Sequence, residues 1–285
     1  MIRFPRLLFF ALACLPALAG AQTPAASRMP DGSRDLYLGL GVQAAPRYAG
    51  ADVDRISLLP AAQFAWSNGL FVAGATAGWH LSDSPTAEFG PLVAWQPRRR
   101  ADGDGRGIGA VTTAILPELV TLKRMGGDPY RLAGMDDIPA RALAGGFLNY
   151  YLTPDWRLTS SVLGGAGADR NGVVLRLGVQ RLGIALGGHH SLVLSAGADI
   201  GNRAYNQAYS GISQAESLRS GYGPYQAGAA LREVHAGLRW NWALSTTWLL
   251  TSGVEVSRAV DVARHSPLTV RPTGVTASTI LAYRF

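Results

Sequence analysis

The sequence predicts an all-β fold, a single antiparallel transmembrane β-barrel of about twelve strands, with ten as the fallback. Three observations carry the prediction. Hydrophobic residues make up 48% of the chain, charged residues 16%, and there are 35 glycines. Yet after residue 21 no apolar run reaches the roughly 20 residues a membrane helix needs. Apolar and polar residues alternate instead, segment after segment, and the last segment closes on Phe285.

The first segment is an export signal in form. Arg3 and Arg6 precede an apolar run from Leu7 to Leu18, and Ala19-Gly20-Ala21 offers small residues for cleavage before Gln22. Residues 1–21 are therefore read as a signal peptide and 22–285 as one barrel domain. Cys14 lacks the leucine three places earlier that a lipoprotein signal carries, since Ala11 stands there. Cleavage after Ala21 leaves a mature chain without cysteine, so neither disulfides nor thiol chemistry is available.

The strands follow in order. Alternation places them near 35–44, 56–66, 70–81, 86–97, 141–152, 156–167, 173–185, 191–202, 231–244, 247–258 and 274–285. That makes eleven, and single-chain bacterial barrels close with even counts. The twelfth is expected within 106–122, where Ile108 to Leu119 is apolar and β-prone. Ser67-Asn68-Gly69, Thr153-Pro154-Asp155 and Gly187-Gly188 carry tight-turn chemistry. Segments 98–140 and 203–230 remain irregular. A soluble β-sandwich also has many short strands, but it needs neither tryptophans at strand ends nor a terminal phenylalanine.

Parity then sorts the side chains. Val234, Ala236, Leu238, Trp240 and Trp242 fall on one face, Glu233, His235, Arg239 and Asn241 on the other. Glu255 and Arg284 share the polar parity in the next two strands. These six are the expected lumen-facing polar residues, with opposite charges facing across neighbouring strands. Tyr283 and Phe285 end the apolar parity of the last strand, as an outer-membrane assembly signal does, with Ile280 as the exception.

Chemistry is sparse. Nucleophilic serine catalysis needs a histidine in hydrogen-bond reach, itself oriented by a third group. His265 and Ser266 are sequence neighbours, which an extended strand would send to opposite faces. His235 with Glu233 and Arg239 reads as an inward polar ladder before it reads as a catalytic set. No His/Cys/Asp spacing suggests a metal, and no cofactor is expected. The formal charge of +7 admits nucleic acid or an anionic surface. Arg98-Arg99-Arg100 beside Pro97 is the only basic cluster, without interleaved aromatics. It is read as a loop facing lipopolysaccharide phosphates or the periplasm, with no nucleic-acid partner.

The segments between strands resemble the MipA/OmpV outer-membrane family. Pro46-Arg47-Tyr48-Ala49-Gly50-Ala51-Asp52 is similar to its P-x-Y-x-G-x-D, and Leu132-Ala133-Gly134-Met135-Asp136-Asp137 to the segment before the fifth strand. Tyr209-Ser210-Gly211-Ile212, continuing through Ser220-Gly221 to Tyr225, resembles Y-F-G-V, S-G and Y. Arg258, Asp261 and Ser266-Pro267 match R-L-x-G-D-A-A-x-S-P. Ser210 stands where the family has an aromatic, and 98–130 is longer than its pattern. The resemblance implies a barrel in the outer membrane, in contact with lipid and lipopolysaccharide. It further implies a scaffold between a murein lytic transglycosylase and a penicillin-binding synthase, with porin or surface-adhesin roles as alternatives. The tyrosines of 203–230, Tyr205, Tyr209, Tyr222 and Tyr225, suit a partner surface or a packed plug.

Overall fold

The structure, a computed structural model, describes residues 33–101, 121–128 and 130–285. The expected signal peptide and the apolar run Ile108 to Leu119 lie outside these residues. In chain order the elements are β1 (Arg34–Pro46), β2 (Asp54–Trp66), β3 (Leu70–Ala73), β4 (Thr76–Trp79), β5 (Ala87–Gln96) and β6 (Thr121–Met125). There follow β7 (Arg141–Tyr151), β8 (Trp156–Ala166), β9 (Gly172–Ala185), β10 (His190–Gly201), α1 (Arg203–Ser210) and α2 (Gln214–Ser220). The chain ends with β11 (Ala230–Ala243), β12 (Trp248–Ala259), α3 (Asp261–Arg264) and β13 (Thr273–Arg284).

Every strand pairs antiparallel with its neighbour, and β1 pairs with both β13 and β2, so the sheet closes on itself. Thirteen strands join the sheet, but β6 touches only the start of β2, which leaves twelve in the ring. Closure satisfies the backbone groups that lipid cannot. Among the described residues no helix is long and apolar enough to cross a membrane.

The expected count of twelve holds; the expected twelfth strand within 106–122 falls almost wholly outside the described residues, and the twelfth of the ring comes from a split in 70–81. Segment 70–81 is two four-residue strands, β3 and β4, folded back through Gly74 and Ala75. Gly74 has φ +60, a conformation glycine adopts without the Cβ penalty. The reversal flips parity, since Leu70 pairs with Trp79 and Val72 with Ala77, and four residues on either side are too few for alternation to show the flip. The short hairpin covers only the Gln63–Ala65 stretch of β2, while β6 pairs higher, along Asp54–Ser57.

All other expected strands match the observed ones to within two residues at either end. The predicted outer parity is the exposed face: Leu38, Leu40, Val42, Leu238, Val254, Val256 and Leu281 all face outward. Ile280 breaks the pattern because it points inward, where it packs with Leu59, Ala282, Tyr37 and Ala61.

Connections at one end are short, at 67–69, 80–86, 152–155, 186–189 and 244–247. Those at the other include the long ones, 97–140, 202–229 and 260–272, beside shorter links at 47–53 and 167–171. Both described chain ends lie with the short links, as in barrels with periplasmic termini. Exposed Trp79, Tyr150, Trp156, Trp242, Trp248 and Tyr283 cluster near that end, as an interfacial girdle does. The two ends are called the terminal end and the loop end below.

Candidate functional site

At the loop end, α1 turns into the mouth of the ring. Asn202 caps it: the side-chain oxygen accepts from Tyr205 N at 2.8 Å, satisfying a donor the first helical turn leaves free. The Asn206 amide then donates to the carbonyls of Gly201 and Gly228 at 3.0 and 2.8 Å. Tyr205 is fully buried among Ala94, Leu143, Leu163, Ala166 and Val174, which are lumen faces of β5, β7, β8 and β9. The Arg232 guanidinium stacks 5.0 Å from the Tyr205 ring and 5.6 Å from Tyr209. Burial raises the pKa of Tyr209 far above the ordinary tyrosine value, so its hydroxyl stays neutral.

Arg232 sits beside buried Glu233, although alternation would place one of the two in lipid. The reason is a bulge between β10 and β11, where pairing steps from Asp199↔Glu233 to Ile200↔Leu231. The extra residue, Arg232, turns inward with its neighbour. Strict parity therefore missed Arg232. It could have found Asp199 and Arg176, which meet at 3.6 Å in the lumen, and Glu88 and Arg157 further along.

Above this plug lies a second core: Leu132, Met135, Ile212 and Leu268, with Tyr48, Tyr222 and Tyr225 packed against it. It is made from the stretches that carry the family resemblance. Tyr48 donates its hydroxyl to Leu268 O, Tyr222 to Arg131 O and Tyr225 to Val262 O, at 3.1, 3.2 and 2.9 Å. The Tyr48 phenol is pushed up to about 12 by burial, which keeps it a donor. Arg131 reaches Pro267 O at 2.8 Å. Gly50 accepts from Val270 N at 2.9 Å, and a Cβ there would meet Thr269 Oγ1 at 2.6 Å. Asp52 accepts weakly from Asp128 N at 3.4 Å.

α2 starts with a reciprocal capping box: Ser213 N donates to Glu216, and Glu216 N to Ser213 Oγ. The other Glu216 oxygen accepts from Asp136 N at 3.0 Å, so one carboxylate joins α2 to the 132–137 stretch. Burial pushes that carboxyl up, but the N–H bonds from Asp136 and Ser213 outweigh it and hold the pKa low. Arg219 pairs with Asp136 and donates to Gly134 O. Gly134 has φ +85, and a Cβ on it would press the Ser220 backbone at 2.8 Å. Ser220 Oγ accepts from Tyr222 N, and Gly221 closes α2 in a left-handed conformation. Gly211 N donates to Gln207 O, ending α1.

Several expectations change here. Arg99 does not face phosphate: it is 5% exposed, donates to Asp136 O and lies over the Tyr209 ring. Arg98 is paired with Asp137 at 3.0 Å. The Tyr-rich segment is a plug and cap, not an open surface, because its apolar rings meet the lumen wall and the second core. Arg258 and Asp261 stand exposed outside that core, and Pro46 ends β1 against Gly274. Ser266 Oγ donates to Ser210 O at 2.6 Å and accepts from Leu268 N, so its hydroxyl ties the cap together and, among the described residues, meets no histidine.

The terminal half of the lumen differs. A cavity of about 440 Å³ is lined there by Arg239, Asn241 and Glu255, with Asp35, Tyr37, Gln180 and Ser195 among others. Thr251 donates to the Asn241 carbonyl at 3.1 Å. Arg284 stands beside it, but its partner is Asp35 at 2.8 Å, not a glutamate of a neighbouring strand. On the far wall Tyr151 donates to Glu88 at 2.8 Å, Asn149 to the same carboxylate at 3.1 Å, and Arg157 to Gln180 at 2.6 Å. His235 lies between plug and cavity, facing Gly197. Among the described residues no three His, Cys, Asp or Glu side chains gather as a metal site would require.

A closed ring of twelve antiparallel strands, apolar outside and polar or plugged within, defines a transmembrane β-barrel of the outer-membrane type. The cap made by its interstrand stretches narrows the class. The chain belongs to the family described as MltA-interacting protein MipA, whose model matches residues 38–285. Among solved structures it is similar to the NanC porin, at 8% identity and a TM-score of 0.42, over 88% of this chain and 100% of that one. It is also similar to the Pseudomonas putida toluene transporter TodX, at 10% identity and 0.36, over 92% of each chain. The outer membrane channel DcaP of Acinetobacter baumannii gives 6% identity and 0.35, over 89% of this chain and 96% of that one. No curated protein sequence matches the chain.

Proposed function

We propose that this protein is an exported, non-enzymatic interaction barrel that holds peptidoglycan-remodelling enzymes near the outer membrane. On this reading residues 1–21 are removed as a signal peptide and 22–285 form the barrel domain. The partners are a lytic transglycosylase, as the family description suggests, and a penicillin-binding synthase, as the sequence resemblance suggests.

One observation supports binding over passage: the loop end is shut by packed protein. Tyr205 and Asn206 are fully buried in the mouth, and the Leu132–Met135–Ile212–Leu268 core covers them. Self-filling is usual near eight strands, and open channels near sixteen to eighteen. A twelve-strand ring needs inserted segments to close, and this chain supplies them. Because the plug lies at the loop end, the surface left for periplasmic enzymes is the terminal end, with its short links and Asp35 and Arg284.

The test joins two measurements on the purified, folded barrel. Planar bilayers should show no steady conductance, and envelope extract should yield a lytic transglycosylase in pull-down. Trimming 206–222 should open conductance while leaving capture intact. Steady openings by the intact protein, with solute flux in liposome swelling, would favour a passive channel instead. Capture lost on trimming would move the partner surface to the loop end.

A further inference from the structure

We propose that the terminal half of the lumen is a binding site for small, hydroxyl-rich carboxylates, anchored by Arg239. The inference does not rest on the scaffold role.

The cavity exists because inward positions of the wall are glycines. Parity sends every second residue of a strand into the lumen, so an inward glycine leaves the space of one side chain. Gly237 of β11 and Gly253 of β12 both line the cavity, and neither has positive φ. Their backbone would accept a side chain. A Cβ on Gly253 would meet nothing nearer than 3.5 Å. What glycine supplies here is room. Its volume of about 440 Å³ falls within the roughly 300–1,000 Å³ usual for small-ligand pockets.

The charge pattern inside selects the ligand. Arg157 is held by Gln180 and lies 3.7 Å from Glu88, and Arg284 is held by Asp35. Arg239 is exposed to the cavity and makes no hydrogen bond or ion pair among the described residues. The charges that act on it are the Arg157 guanidinium and the Glu255 carboxylate. A planar guanidinium with free N–H groups inside a wall is a fork for a carboxylate, which can take two parallel bonds. Asn241, Gln180, Ser195 and Thr251 surround it. Amides and hydroxyls both donate and accept, the complement of a polyol. With the loop end plugged, such a ligand enters and leaves by the terminal end. The site therefore senses or holds its ligand, and does not pass it.

Calorimetric titration of the full folded barrel in detergent tests this, with glucuronate, glucose and glucosamine as probes. Glucuronate should bind saturably and about tenfold or more tighter than either other sugar, the difference a charge-assisted bond makes. Arg239→Gln should lose that advantage. Gly253→Gln, which fills the cavity, should abolish binding while heat-modifiable mobility shows an intact barrel. Should Arg239→Gln not fold, Arg239→Lys takes its place, since a point charge cannot offer the paired fork. Folded protein that ignores glucuronate, or prefers glucose equally, overturns the proposal. So does saturable binding that survives Gly253→Gln or either Arg239 variant.

Discussion

The two halves of the lumen are built from the same strands and filled by opposite means. The loop half is occupied by protein: α1 lies against the β5, β7, β8 and β9 walls, and a second core covers it. The terminal half is left open between glycines and polar side chains. A closed ring satisfies its own backbone, so its wall stands whether or not its interior is filled. What enters the interior is then decided by the connections. The long connections, 97–140, 202–229 and 260–272, all lie at the loop end, and the links at the other end have three to seven residues.

That contrast predicts where mutations cost most. Tyr205→Ala removes a fully buried aromatic from the plug and should destabilise by about 3–5 kcal/mol, as large aromatic truncations do. Tyr37→Ala in the terminal half, where the ring is only partly buried, should cost about 1 kcal/mol. Urea unfolding from detergent micelles compares them. Equal costs would mean that the plug does not carry the loop half.

Charge placement sharpens the comparison between wall and lumen. Leu238 is 43% exposed on the outer face, and Leu238→Arg should cost about 2–4 kcal/mol near the bilayer midplane. Asn241→Arg points into the cavity and should be mild. The pair is read by folded yield in lipid vesicles, and equal loss would refute the inward and outward register.

Smaller effects probe the cap. Ser266→Ala leaves the buried Ser210 carbonyl without its donor and should cost about 1–3 kcal/mol. Ser195→Ala, whose hydroxyl reaches Gly237 O only at 3.4 Å, should stay within about 0.5 kcal/mol. Protease sensitivity of 203–230 should rise for the first variant alone.

The cap should also loosen in acid. Glu216 is held below its ordinary pKa in the folded state, so its contribution is present above the unfolded value. It is lost as pH falls through the folded one. Proteolysis of the α2 region should therefore accelerate below about pH 4. Glu216→Gln should remove most of that pH dependence, at a cost near 1 kcal/mol for the cap. A pH response unchanged by the substitution would place the acid sensitivity elsewhere.

A small stability change is expected at the chain end. Deleting Phe285 removes one backbone bond, to Leu36 O at 3.0 Å, worth about 0.5–1.5 kcal/mol. Its effect should instead appear as a lower heat-modifiable fraction in the outer membrane. An unchanged folded yield would end the reading of Tyr283 and Phe285 as an assembly signal.

Alternation by itself determined the wall of this protein. A residue's face depends only on its parity along a strand, so Leu238, Arg239, Asn241 and Glu255 could be sorted without knowing any partner strand. The short motifs also marked, by resemblance alone, the stretches that meet at the loop end. Parity fails where the backbone departs from a plain ladder. One continuous strand over 70–81 hid the Gly74 reversal, where the outward parity switches from Leu70 to Trp79, and strict parity would send Arg232 to lipid where a bulge turns it inward. Nor could it say whether the tyrosines of 203–230 face a partner or the lumen. That depended on distant stretches, Tyr48, Leu132 and Leu268 among them, meeting over the mouth. Contacts between residues so far apart in the chain leave no local period to read, and only the closed ring brings them together.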